Sequence, residues 1–277
     1  MTIAGKVVMV TGANAGIGKA TATALAKEGA NVIMVCRDLV RGAAALDDVQ
    51  AAAPHSKIDL LIADLSVPSS VRAMVASFYQ KYERVEVLIN NAAVYKAQHT
   101  LTADGLELMF ATNHLGHFLL TNLLLDRFKP GARIIHVTAP STSNLNFDDL
   151  QGKQKFSPLN AFGASKMCNL LFNYALADRL AGTGVTSNAL HPGLIKSNLT
   201  GEMPALLRWG VNLVSRPPER AAAAALYLAS SSALEGVTGK FFKGKQEIAP
   251  AAYALDKQVQ DRLWQESEKL AGLSTLN

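Results

Sequence analysis

The sequence predicts an α/β fold, a doubly wound parallel sheet of about seven strands flanked by helices. Three observations carry that expectation. Short β-branched runs recur through the chain without polar alternation, as strands buried on both faces require. Ala- and Leu-rich stretches long enough for helices separate them, so the connections are crossovers rather than hairpins. The first run leads into a glycine-rich turn and then directly into a helical segment.

The elements follow in order. "KVVMV" (6–10) is a near-continuous apolar strand, succeeded by the helical "GKATATALAKEG". "NVIMV" (31–35), "IDLLI" (58–62), "EVLIN" (86–90), "ARIIHV" (132–137) and "GVTSNAL" (184–190) repeat the pattern. Two stretches break it. Residues 139–160 are polar and turn-rich, longer than an ordinary strand-to-helix loop. Residues 194–216 are apolar but irregular, with Leu199, Met203, Leu206, Leu207, Trp209, Val211 and Leu213. This stretch is either core or a lid over a lipophilic ligand. Its place after a strand's C-terminal end, where such sheets bind ligands, favours the lid. No linker or repeat divides the chain, so residues 1–277 are expected to form one domain.

Composition narrows the function. With 49% hydrophobic and 18% charged residues, the chain has ample material for a core. Its formal charge of +5 comes from scattered Lys and Arg residues, not from a basic run interleaved with aromatics. That distribution fits an anionic small ligand rather than nucleic acid. Cys36 and Cys168 cannot build a disulfide framework, which points to a reduced, cytoplasmic setting. The N-terminus runs at once into "KVVMVTG", read as leaving no room for a signal peptide, and no apolar run is long enough to span a bilayer. His114 and His117 share a helix face, but no Cys, Asp or Glu nearby completes a metal site. A homodimer or a monomer is expected.

"TGANAGIG" (11–18) carries the clearest chemistry. Gly12, Gly16 and Gly18 let the backbone turn tightly and approach a pyrophosphate seated on the helix N-terminus, a Rossmann-like arrangement. At the end of the second strand an NAD-binding chain places an acidic residue on the ribose. Here Cys36 and Arg37 stand instead, suiting the 2′-phosphate of NADP(H). Asp38 argues mildly against this, but is better placed to cap a helix starting near Val40.

These residues resemble the short-chain dehydrogenase/reductase family over nearly the whole chain. Besides the glycine turn, the family's adenine contact matches Asp64-Leu65, its signature after strand four matches Asn90-Asn91-Ala92, its active-site asparagine matches Asn113, and its Pro-Gly motif matches Pro192-Gly193. "CRD", "NNAAVY", "TNHLGHFLL" and "DDLQG" look most like the branch of retinol dehydrogenases and light-dependent protochlorophyllide reductase. The resemblance implies NADP(H) as cofactor and a small lipophilic substrate. It extends the cofactor-binding set to Asn14, Ala15, Ile17, Ala93, Lys166, Ile195 and Ser197.

The family's chemistry uses a tyrosine as proton donor, a lysine one helical turn on, a serine after strand five and the asparagine. In "NAFGASK" (160–166) the lysine is Lys166, but Phe162 occupies the tyrosine position; in "HVTAPST" (136–142) Ala139 occupies the serine position. Each change removes only the reactive oxygen. Tyr95 is the best spare phenol, with Ser141, Ser143 and His191 as other substitutes; Thr138 should point to the opposite face from Ala139. The expectation is an NADP(H)-dependent oxidoreductase acting on a carbonyl or alcohol with an atypical or silenced proton-transfer pair. The alternatives are a non-redox reaction (cyclisation, isomerisation or elimination) in the same scaffold, or a non-catalytic NADP(H) sensor.

Overall fold

The computed structural model describes residues 2–195 and 215–273. The strands are β1 (Val7–Thr11), β2 (Asn31–Cys36), β3 (Ile58–Ile62), β4 (Val87–Asn90), β5 (Arg133–Val137), β6 (Thr186–His191), β7 (Lys240–Lys243) and β8 (Gln246–Glu247). They form one sheet in the order β3-β2-β1-β4-β5-β6-β7-β8, parallel except for the antiparallel β7–β8 pair. The sheet thus has eight strands where the sequence suggested about seven. The short closing hairpin around Gly244, which adopts φ +64°, lacks the β-branched run that marks the others.

Side chains along β1 and β2 explain the unbroken apolar runs. Met9, Ile33 and Val35 enter the core on one face, while Val8, Val10, Val32 and Met34 enter the core on the other. Both faces exclude water, so neither requires polar residues. One face is covered by α1 (Gly16–Lys27), α2 (Leu39–Ala52) and α7 (Pro218–Ser230), with Leu25, Val49 and Leu228 as anchors. The other is covered by α3 (Pro68–Lys81), α5 (Gly116–Leu123), α6 (Pro158–Arg179) and α8 (Lys257–Ala271), through Phe78, Phe118, Phe172 and Trp264. Helix α5 is entered through a short α4 (Leu108–Phe110) and a π-helical turn at Ala111–Leu115.

The chain passes from β3 at one edge back to β4 beside β1, so the connections leaving β1 and β4 diverge. A crevice opens at that switch point, beyond the strands' C-terminal ends. Asp38 caps α2 by accepting from the Arg41 backbone N–H at 2.8 Å, so the sequence expectation of a cap holds, with the helix starting at Leu39. Residues 139–157 form the long connection expected after β5, pinned where the Asp149 carboxylate accepts from the backbone of Lys153, Gln154 and Lys155. The proposed lid lies, apart from its ends, outside the described residues. Its flanks meet: Arg216 N–H donates to the Leu194 carbonyl at 2.8 Å.

Candidate active site and nucleotide cleft

The glycine turn is held by steric demands that only glycine meets at two positions. A Cβ on Gly18 would sit 2.2 Å from the Gly12 carbonyl oxygen, and one on Gly12, at φ +66°, would sit 2.9 Å from Ala92 Cα. The start of α1 therefore lies against the turn, and the turn against the end of β4. Thr11 joins the strands: its Oγ1 accepts from Asn91 N–H at 2.8 Å and Ala92 N–H at 3.0 Å, while Asn91 Nδ2 donates to its carbonyl at 2.8 Å. The result is a cleft of about 520 Å³ walled by Gly12, Asn14, Ala15, Gly16, Ile17 and Gly18. Its other walls include Arg37, Arg41, Asp64, Leu65, Asn91, Ala92, Ala93 and Tyr95. The free backbone N–H groups of a helix start, with no Cβ in the way, can bind a pyrophosphate. Arg37 and Arg41 both line the same cleft. Asp64 is oriented by Ser66, whose N–H and hydroxyl donate to its Oδ1 at 2.9 and 2.7 Å.

Beside the cleft, Asn113 lies in the π-helical turn and is fully buried. Its Oδ1 accepts from Val94 N–H at 2.7 Å, and its Nδ2 donates to the Val94 carbonyl at 3.0 Å and to Ser165 Oγ at 3.0 Å. Its own carbonyl accepts from Asn169 Nδ2 at 2.9 Å and pairs with His117 Nδ1 at 3.0 Å. The loop after β4 is thereby fixed to the helix pair. Next to Val94, Tyr95 is buried and meets the Phe162 ring edge-on, centroids 5.9 Å apart. Lys166, one turn along α6, holds its Nζ 5.3 Å from the centroid of that same ring. Among the described residues no carboxylate pairs with Lys166. Burial alone pulls its pKa down to about 8, which leaves it mostly protonated at neutral pH.

The remaining sequence-derived residues fall at the ends of β5 and β6. Ala139 is half-buried two residues beyond β5. Thr138 donates its hydroxyl to the Lys166 carbonyl at 2.8 Å, so it is committed to packing α6. Ser141 donates to the Gly163 carbonyl at 2.8 Å, and Ser143 Oγ lies so close that a Cβ on Gly163 would sit 2.5 Å from it. Both serines thus press on α6 beside Phe162. His191 ends β6; its pKa is lowered by burial and, to a lesser degree, by the nearby Lys243 charge, and it accepts from Gly193 N–H at 3.4 Å. Pro192 and Gly193, the latter at φ +86°, turn the chain away, and Ile195 is buried. Ser197 lies outside the described residues. Asn113, Phe162, Lys166, Ala139, Pro192, Gly193 and Ile195 are not part of the cleft wall; the first three connect to it through Val94 and Tyr95.

His114 and His117 do not share a ligand site. His114 pairs with Ser267 Oγ at 2.9 Å inside the aromatic cluster of Phe110, Phe118 and Phe172, whereas His117 spans Thr11 Oγ1 and the Asn113 carbonyl. Both thiols, Cys36 and Cys168, are free and buried, with burial raising the pKa of Cys36 to about 11.

Several contributors escaped sequence reasoning. Arg41 reaches the cleft because the Asp38 cap sets the first turn of α2; the cap was legible, its consequence was not. Gly116 lets the helix touch Leu65, since a Cβ there would sit 2.2 Å from the Leu65 carbonyl oxygen. Ser165 and Asn169, which hold Asn113, carry no motif visible in one sequence.

Comparison with known proteins agrees with this geometry. The family described as short chain dehydrogenase matches residues 6–206. Human retinol dehydrogenase 13 is 42% identical over 98% of this chain and 86% of its own length. A solved structure from Mycobacterium paratuberculosis, 33% identical, superposes with a TM-score of 0.81 over 98% of this chain and 95% of its own. A Burkholderia cenocepacia short chain dehydrogenase in complex with NADP shares the fold at 21% identity, with a TM-score of 0.71 over 88% of this chain and 97% of its own.

Proposed function

Because this chain belongs to the short-chain dehydrogenase family, we propose that it binds NADP(H) in the cleft and interconverts a small lipophilic carbonyl compound with its alcohol. The observation that carries this reading is the glycine cradle opening onto Arg37 and Arg41. The cradle takes the pyrophosphate on Gly12, Asn14, Ala15, Gly16, Ile17 and Gly18. The two guanidinium groups take the 2′-phosphate, which a guanidinium binds through paired charge-assisted hydrogen bonds. Asp64 and Leu65 flank the adenine; Asn91, Ala92 and Ala93 line the path toward the reacting end; Pro192, Gly193 and Ile195 close it. When bound, the nicotinamide donates or accepts hydride.

The chain's own groups do the rest. Lys166, protonated at neutral pH, holds the ribose hydroxyls and supplies positive charge beside the reacting oxygen. Asn113 fixes the loop carrying Tyr95. Phe162 and Ala139 offer no hydroxyl at the two positions where the family places its proton-transfer pair. An apolar substrate is supported by the name of the 42%-identical relative, a retinol dehydrogenase. The phenylalanine at 162 favours one second reading, a chain that senses NADP(H) without turnover.

Fluorescence titration with NADPH and NADH tests the cofactor assignment. NADPH should bind at least tenfold more tightly, and Arg37→Ala should erase most of that preference. Equal affinities in the parent protein overturn it. Turnover of any lipophilic aldehyde removes the sensor reading.

A further inference from the structure

We propose that Tyr95 is the proton donor of this active site, taking over the work of the missing hydroxyl at position 162. The inference rests on the oxidoreductase reading above and names the acid that the reading lacks.

Four observations converge on this residue. Tyr95 is the one tyrosine in the wall of the nucleotide cleft among the described residues. Its side chain is 7% exposed, yet no described residue hydrogen-bonds its hydroxyl. The ring is buried but the hydroxyl oxygen is not sealed off, so at the cleft wall it is open to a ligand oxygen. Its ring stands edge-on to Phe162, and the Lys166 ammonium faces the same Phe162 ring at 5.3 Å. Phenol and ammonium therefore flank one aromatic spacer, in the region where the family's own tyrosine and lysine act. Finally, the preceding residue is clamped through both backbone groups by buried Asn113, which fixes the phenol's origin relative to the cleft.

The other hydroxyls are less suited. Thr138 and Ser141 already donate to the carbonyls of Lys166 and Gly163. Alcohols are also far weaker acids than phenols, and general acid catalysis rewards a pKa nearer the working pH.

In the reducing direction, the Tyr95 O–H bond breaks and its proton passes to the substrate carbonyl oxygen. The carbonyl carbon takes a hydride from reduced nicotinamide, and the C=O π pair becomes the new O–H bond. The carbonyl is reduced to an alcohol and NADPH is oxidised to NADP⁺. The tyrosinate left behind regains a proton from solvent.

The test uses the full chain, decanal as reducible probe and N,N-dimethyldecanamide as a carbonyl that hydride does not reduce. Tyr95→Phe keeps the ring contact with Phe162 and removes one oxygen. It should bind NADPH as the parent does and lose about 100-fold or more of decanal turnover. In the absence of cofactor it should bind the amide roughly fivefold more weakly, the worth of one hydrogen bond. Adding Phe162→Tyr to Tyr95→Phe should restore turnover. Parent-like turnover and amide affinity in Tyr95→Phe overturn the assignment. A parent that binds NADPH but is silent, while Phe162→Tyr is active, overturns it alone and leaves the oxidoreductase reading standing. Silence in both overturns the reading and the assignment together.

Discussion

Asn113 and Val94 hold each other by both ends of a peptide unit's hydrogen-bonding capacity, N–H to Oδ1 at 2.7 Å and Nδ2 to carbonyl at 3.0 Å. This reciprocal pair makes the asparagine a clamp on the loop after β4, and through Tyr95 it ties the nucleotide cleft to α6. Asn113→Ala removes both bonds and the one to Ser165, leaving partly buried backbone groups unpaired. At about 1 kcal/mol for each bond, the loss should be roughly 3 kcal/mol of unfolding free energy. Urea denaturation should show a lowered midpoint with little change in slope, and turnover should fall further than NADPH affinity. A midpoint within error of the parent would show that the clamp contributes nothing to stability.

Restoring the family's hydroxyl tests what the pocket retains. Phe162→Tyr places a phenol over the Lys166 ammonium, 5.3 Å from the present ring centroid, where the charge favours loss of its proton. In a Tyr95→Phe background, where the parent's own acid is removed, decanal reduction should rise by about two orders of magnitude. Ala139→Ser alone should do little, since it supplies no acid. The double variant should exceed the product of the single effects, because groups acting on one oxygen are non-additive. NADPH oxidation against a panel of lipophilic aldehydes and ketones measures all four proteins. No gain in the double variant with cofactor bound would mean the pocket serves other chemistry.

The glycine turn and the strand runs were legible in the sequence for a common reason: each depends on local chain geometry or on residues close in sequence. Gly18 must be glycine because its neighbour in space, Gly12, is also its neighbour in sequence. The contacts that gather Asn113, Ser165 and Asn169 beside Lys166 were not legible. Asn113 meets Val94, Ser165 and Asn169 across separations that only the fold closes. The C-terminal helix gave no motif either, although Trp264 packs on Phe118 and Phe172 at 4.9 and 5.7 Å between ring centroids. The expectation that Asp38 caps α2 held, but that the same cap delivers Arg41 to the cleft needed the helix direction. The 194–216 stretch was marked by its apolar content and by its place after a strand's C-terminal end, which favoured a lid over core; all but its ends lie outside the described residues.

The last prediction concerns acid. His114, His117 and His136 are fully buried and neutral, their pKa values lowered by burial to about 3, 4 and 3. Burial is the largest cause, and the neighbouring imidazoles, with the Lys166 charge for His117, contribute to the same shifts. In the unfolded chain each returns to 6.5. Between that value and the folded value the unfolded state binds more protons, so stability rises with pH and is lost as pH falls below 6.5. Each histidine then costs roughly 1.4 kcal/mol per pH unit, or about 2 kcal/mol by pH 5. The three together are enough to unfold a domain of ordinary stability. Unfolding free energy from urea titrations should be nearly flat between pH 7 and 7.5 and fall steeply from 6.5 toward 4. The loss should level off only near the folded values. His114→Met with Ser267→Ala removes one titrating group and the hydroxyl it pairs with, and should cut the slope in that window by about one third. An unchanged slope in the double variant, or a parent whose stability is level from pH 7 to 5, would show that these histidines do not govern the acid transition.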